Sequence, residues 1–541
     1  MKSIPSIKLA TFLLLFLIST TDAEAGFFDW LGGLFGLDKS PCPKIDRSTP
    51  KCPKGSSRIL DDTYPHKAIV ISNKPKIKNN NSYQTPSKFI IEVINAYRFE
   101  GHKKVPQIIV PCEKDRFKSM ISDIRYELWR QHYTNENIDK IISKIHHSEQ
   151  DAYTWQQDYF ESFYDPDTGS PVTRKFESYN RFVDYDELLQ TASKTGCNIR
   201  KEKPLKNYPR SFDAGEMGGN VEGLPAGGCL YGNNMDSDMA LEFCSNPDDH
   251  AQVNTGFLQV GHVDELFKIT PNRNNKGAPK ECQFTISYAS PALGIKLLEE
   301  NPDDLLYSAV PTSPDDGEFI KNRLTKICKF ITYSRDELNK NTPPESKGSR
   351  DIKVKKVFLN ILNLEAYAGI LILPKQYTQC THEELRNFTN RDFLRGLKHD
   401  KQLYQLNLDI EKRMQENLKI VTDNILRRLP HCKGHLDILP VPDIYDSESL
   451  TTLYKTNKDG SKTLRSKGGN CLSIFPSPTN GVFVNETMIY SDPEIKPFRQ
   501  YLDKNMRRRN NTPRFIPTYE YSHLGHGNLH CSSHTLPYCR P

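Results

Sequence analysis

The sequence predicts an α/β fold, and two observations carry that expectation. Ala68-Ile69-Val70-Ile71 and Gln107-Ile108-Ile109-Val110 are short apolar runs rich in β-branched residues, the pattern of buried strands. Between them, Ser87 to Tyr97 carries apolar residues at helical spacing, and strands alternating with helices imply α/β. A chain of 541 residues is long enough for one large domain or two to three ordinary ones. No composition break divides it after residue 65 and no fixed-period repeat is present, so one large domain over 65–541 is expected.

The elements follow in order. Lys2 and Lys8 precede the apolar run Leu9 to Ile18, and Ala23-Glu24-Ala25 supplies a small-x-small cleavage site. Residues 1–25 therefore read as a secretory signal peptide, too short for a comfortable membrane span. Residues 26–64 form a Pro-, Lys- and Ser-rich segment with too few residues for a packed domain of its own. Phe117, Ile121, Ile124, Leu128 and Trp129 mark a helix, continued after Thr134 by Ile138, Ile141, Ile142 and Ile145. Phe257 to Val260 and Phe284 to Ser287 read as strands, and Pro291 to Glu299 and Asp400 to Leu429 as helices. Pro343-Pro344 place Asn339 to Arg350 in a surface loop. Cys471 to Tyr490 reads as strand, turn at Pro478-Thr479-Asn480-Gly481, strand, and Phe515 to Tyr521 is strand-like.

Charge says little about partners. The net +6 is modest and its basic residues are spread out. Without an aromatic-interleaved basic stripe, nucleic-acid binding is not indicated. No later run is apolar enough to cross a bilayer, so the mature chain is expected to be soluble, and the leader is expected to export it to the periplasm or the extracellular space. Export makes the thirteen cysteines informative: an odd count fits one free thiol among structural disulfides, with Cys42 and Cys52 as one local bridge.

Four runs carry candidate chemistry. In His526-Gly527-Asn528-Leu529-His530-Cys531, glycine lets the backbone approach a ligand and the imidazoles favour thiolate, so Cys531 is either a nucleophile or a half-cystine. In Val260-Gly261-His262-Val263-Asp264-Glu265, an extended strand would point His262 and Asp264 the same way, as a proton-shuttling pair or a structural one. In Trp155-Gln156-Gln157-Asp158-Tyr159-Phe160-Glu161, read as extended, Gln157 and Glu161 share a face with oxygen donors suited to a hard cation, and Asp158 faces away. Gly218-Gly219-Asn220-Val221-Glu222-Gly223 offers carbonyls and a carboxylate, or simply a turn.

Together and in this order, these runs resemble the catalytic domain of the protein-arginine deiminases: Trp-x-Gln-Asp-x-x-Glu, Gly-Asn-Val-Glu, Gly-His-Val-Asp-Glu and His-Gly-x-x-His-Cys. Tyr288-Ala289-Ser290-Pro291, followed by Lys296-Leu297-Leu298, is similar to the family's passage from strand to helix. The resemblance spans roughly residues 65 to 541. It implies a five-bladed pseudo-symmetric α/β propeller (the pentein fold) and the conversion of peptidyl arginine to citrulline with release of ammonia. Cys531 would attack the guanidinium carbon, His262 would serve as acid and then base, and Asp158 and Asp264 would clamp the guanidinium nitrogens. Trp155 would line the arginine channel, and Arg181 would hold the substrate backbone unless it is an ordinary surface arginine. The resemblance also implies a calcium ion held by Gln157, Glu161, the carbonyls of Gly218 and Val221, and Glu222. Tyr159 stands where a second ion's acidic ligand is common.

The implied partners are arginine-bearing proteins or peptides, and the oligomeric state is not specified. The scaffold is shared with enzymes acting on free arginine, agmatine or other small guanidines, so free substrates remain an alternative. So does a secreted calcium-stabilised interaction module without chemistry.

Overall fold

The computed structural model describes residues 58–60, 64–73, 80–99, 101–149, 155–165, 167, 170–175, 186–195, 199–201, 218–244, 246–307, 317–340, 380–447, 453–457, 459, 462–465 and 468–537. All of them fall within one unit, Pro50–Pro541. The leader at 1–25, the Cys42–Cys52 pair, Arg181 and residues 341–350 lie outside the described residues.

One strand–strand–helix–strand unit recurs. Val221–Leu224 pairs antiparallel with Gly228–Gly232, which after the helix Ser237–Phe243 pairs in parallel with His250–Val253. Phe267–Pro271, Phe284–Ser290 and Asp437–Pro442 repeat the pattern, as do Val482–Val484, Thr487–Ser491 and Thr512–Ile516 around the helix Lys496–Arg508. Phe160–Asp165, Ser170–Lys175 and Ile199–Lys201 do so around the helix Asp186–Lys194, with Arg58–Ile59 added at the edge. The parallel step demands a crossover, which explains why a helix separates its two strands in the sequence. A further sheet holds His66–Ile71, Gln107–Pro111 and Ile145–Ser148 in parallel. Its antiparallel member is Ser533–Pro537, drawn from more than 450 residues downstream. The α/β expectation is met, with sheets that mix both pairings.

Helices cover these sheets. Asn80–Ala96 and Lys114–Arg130 pack Phe89, Ile90, Ile94, Ile124 and Leu128 against Ile69, Ile108 and Val110. The helix Lys401–Arg428, capped by Asp400 accepting from Leu403 N, buries Leu403, Leu406, Ile410, Met414, Val421 and Ile425 in the largest core. Asparagines share that buried face and satisfy the backbone of neighbouring loops. Asn417 exchanges hydrogen bonds with Asn254 at 2.9 and 2.9 Å, and Asn407 with Tyr445 at 2.9 and 2.8 Å. Buried backbone groups without such partners would be costly, so these side chains fix the loops that lead to the site.

Several expectations are corrected. Ile145 opens a strand instead of closing a helix, because it pairs with Ile108. Phe257 to Val260 is a turn with a single bridge from Leu258 to Cys471. The turn at Pro478–Gly481 is present, but the strands on either side of it do not pair with each other: Cys471–Ser473 pairs with Tyr445–Ser447, and Val482–Val484 with Thr487–Ser491 across Asn485-Glu486, both at positive φ. The strand expected to reach Tyr521 stops at Ile516. Among the described residues the bridges are Cys229–Cys244, Cys282–Cys432 and Cys328–Cys380, and three described cysteines are free and buried instead of one: Cys112, Cys471 and Cys531. No helix among the described residues is long and apolar enough to cross a membrane.

One ionic cluster ties the core to the segment ahead of the Cys531 loop. Arg323, with a side chain 1 % exposed, donates to Glu494 at 2.7 Å and to Glu520 at 2.6 Å and lies over the Tyr519 ring. Arg323→Met would strand two buried carboxylates, a loss of about 3–5 kcal/mol. A lower urea midpoint with an unchanged slope checks it.

Candidate active site

Cys531 lies in a turn between the short helix His523–Gly525 and the strand Ser533–Pro537. Asn480 grips it from both sides: the amide Nδ2 donates to Sγ at 3.2 Å, and Oδ1 accepts from the Cys531 N–H at 3.2 Å. The carbonyl of Asn480 also accepts from His530 N at 3.2 Å. The Pro478–Gly481 turn is thus the clamp of the thiol. As a sequence it signals only a turn, and that is why its role was missed.

His262 and Asp264 meet Cys531, though not by strand alternation. Val263–Glu265 is a 3-10 turn, in which the Glu265 carboxylate accepts from His262 N at 2.9 Å. Asp264 Oδ2 accepts from Cys531 Sγ at 3.5 Å and from His530 Nδ1 at 2.8 Å. A nitrogen of His262, an oxygen of Asp264 and Sγ of Cys531 all lie within 4.8 Å of one another. Asp158 approaches from elsewhere, its Oδ1 3.8 Å from His262 Nδ1. It sits in the 3-10 turn Gln157–Tyr159 that precedes the strand Phe160–Asp165, so the extended reading of that run is also corrected.

Burial sets the electrostatics. His262, Asp158, Asp264 and Cys531 are each at most 5 % exposed. Burial pushes the Asp158 carboxyl up to about 7; the His262 imidazole pulls it down, and Asp264 adds to the rise. Burial also opposes ionisation of Asp264, but the hydrogen bond and charge of His530, aided by His262 and Lys268, outweigh it and hold Asp264 below its ordinary value. Glu265 is pushed up to about 8, first by burial. Burial and the neighbouring carboxylates raise the Cys531 thiol well above its usual range, so the resting group is a protonated thiol. Two carboxyls converging on one buried point suit a flat cation, whose arrival would relieve their mutual repulsion and favour the thiolate.

Glycines allow this approach at two points. A Cβ on Gly219 would lie 2.5 Å from His262 Nδ1, and one on Gly527 2.5 Å from the ring of half-buried Trp155. Gly219→Ala is expected to displace the imidazole and lower kcat/KM by about 10²-fold with a near-native unfolding midpoint.

Of the side-chain oxygens that the resemblance assigns to calcium, those of Gln157 and Glu161 take part in hydrogen bonds, and Glu222 Oε1 faces two basic groups at ion-pair distance. Gln157 Oε1 accepts from His534 Nδ1 at 2.9 Å, and Gln157 Nε2 donates to Glu161 Oε2 at 3.4 Å. Glu161 Oε1 accepts from Ser162 N at 3.0 Å. Glu222 Oε1 faces His530 Nε2 at 3.5 Å and the buried Lys268 ammonium at 3.9 Å. Gly218 and Val221 are buried in the adjoining turn and strand. An all-oxygen set suits calcium in kind, but a set that already faces a lysine cation and donors from the chain does not fit a resident dication. His530, His534 and Lys268 were not singled out as site residues. A lysine at the second position of a strand is the one local oddity that signals any of them.

No family model matches the chain, and no curated protein sequence matches it. Solved structures do. Agmatine deiminase from C. jejuni aligns over 89% of this chain and 96% of its own, at 11% identity and a TM-score of 0.39. A Porphyromonas gingivalis protein provisionally named an arginine deiminase aligns over 90% and 100%, at 12% identity and a TM-score of 0.42. One provisionally named a peptidyl-arginine deiminase aligns over 89% and 98%, at 10% identity and a TM-score of 0.40. In structure the chain is similar to solved deiminases.

Proposed function

We propose that this chain is an exported hydrolase that converts peptidyl arginine to peptidyl citrulline and ammonia through a cysteine-bound intermediate. The observation that carries it is the convergence of His262, Asp264 and Cys531 within 4.8 Å, with Asp158 beside the imidazole. Asp158 and Asp264 hold the guanidinium, and its charge lets the Cys531 thiol pass its proton to His262. The sulfur adds to the guanidinium carbon. His262 protonates one nitrogen, and the C–N bond breaks to release ammonia. Water then adds to the thiouronium carbon as His262 takes its proton, the C–S bond breaks, and citrulline and the free thiol remain. No step passes through a metal ion. The proposal extends to the architecture, with the recurring strand–strand–helix–strand units closing into a five-bladed ring. The pairing of Ser533–Pro537 with His66–Ile71 supports that closure. Export is supported by three disulfides, which persist in oxidising compartments.

A second reading takes a small free guanidine as substrate and draws on the depth of the site, where the four reacting groups are at most 5 % exposed. Incubation with a blocked arginine peptide, free arginine and agmatine separates the two. Ammonia and citrulline from the peptide support the first; a strong preference for a free guanidine favours the second. Ammonia from none of them overturns both.

A further inference from the structure

Lys268 lies in the strand Phe267–Pro271 with its side chain 2 % exposed, beside the site and unused by the proposed chemistry. A buried ammonium is retained only where carboxylates compensate its lost hydration. The Asp264 carboxylate feels the ammonium charge, and Glu222 Oε1 lies 3.9 Å from Nζ. The same oxygen lies 3.5 Å from His530 Nε2, and the other nitrogen of that ring is 2.8 Å from Asp264 Oδ2. Asp264 in turn accepts from Cys531 Sγ at 3.5 Å. Lysine, glutamate, histidine and aspartate thus form one chain of alternating basic and acidic groups ending at the reacting sulfur. Glu222 is also the carboxylate that the sequence resemblance gives to calcium. An ion ligated there would face a like charge held by the same carboxylate.

We infer that Lys268 is a positioning residue that takes the place of a divalent cation: its ammonium fixes Glu222, through it the imidazole of His530 and the carboxylate of Asp264, and the enzyme works without calcium. The inference rests on the deiminase reading, and the experiment keeps the two apart. The full chain is assayed for ammonia in excess EGTA and in millimolar calcium, and its thermal midpoint is measured in both. The expected result is turnover equal within about twofold and a midpoint that calcium leaves in place, since a ligand that does not bind the native state does not stabilise it. Turnover that appears only with calcium, or a midpoint raised several degrees by it, overturns the inference and leaves the deiminase reading intact. Absence of ammonia in both buffers overturns the deiminase reading instead, and the midpoints still decide whether calcium binds.

Variants test the lysine itself. Lys268→Met keeps the bulk and removes the charge, so kcat/KM in EGTA is expected to fall by about 10²-fold, with Lys268→Arg restoring most of it. With Glu222 released, Lys268→Met is also expected to gain a calcium-dependent rise in midpoint that the parent lacks. Full turnover of Lys268→Met in EGTA overturns the positioning role. Should Lys268→Met not fold, Lys268→Arg decides: turnover in EGTA supports the role, and its loss or a new need for calcium overturns it.

Discussion

Cys531→Ala is expected to lower ammonia release by about four orders of magnitude or more, the scale seen when a covalent nucleophile is removed. The Cys531 thiol supplies the sulfur of the proposed carbon–sulfur bond, and it donates to Asp264 Oδ2 at 3.5 Å. Cys112→Ala and Cys471→Ala serve as controls. Cys112 is packed in the core beside Met120, and Cys471 is bridged to Leu258, so both variants are expected to keep turnover while losing some stability. A Cys531→Ala protein that releases ammonia at the parent rate would remove the covalent route altogether. Mass spectrometry of a reaction quenched during turnover supplies an independent readout, a mass increase on the peptide containing Cys531.

Asp264→Asn is expected to move two measurements in opposite directions. Turnover should fall, because one of the two anions proposed to face the guanidinium is lost along with the partner of His530, a change of about 10²–10³-fold in kcat/KM. Alkylation of Cys531 by neutral iodoacetamide at pH 8 should rise. After burial, the Asp264 carboxylate is the largest influence holding the thiol pKa up, so its removal lowers that pKa, and each unit of fall gives about tenfold more thiolate while the pH stays below it. Opening of the site would also expose the thiol and raise alkylation, so the unfolding midpoint is measured alongside, and a near-native midpoint assigns the rise to the lost charge. Parallel loss of both activities would show that Asp264 does not face the sulfur as described.

The sequence brought out which residues matter more readily than how the backbone presents them. Cys531, His262, Asp264 and Asp158 were found as side-chain types in ordered runs, and they converge although Cys531 and Asp264 are 267 residues apart. The local geometry was misread because both acid-bearing runs fold as 3-10 turns, and a strand's alternation does not hold where backbone hydrogen bonds close three residues on. Asn480 escaped notice because asparagine in a turn is ordinary; its bonds to Cys531 exist only once distant strands pair. Lys268 has no motif at all. Its meaning depends on Glu222 and His530 lying opposite it, a tertiary fact with no local signature.

The pairing of Ser533–Pro537 with His66–Ile71 has a consequence for how activity first arises. A nascent chain that has not yet emerged past this strand leaves the early sheet with a bare edge, open to foreign strands. It also leaves the reactive sulfur outside its cleft. Covering that edge and completing the cluster around Cys531 are therefore a single event, and a protease that clips this strand away is expected to undo both.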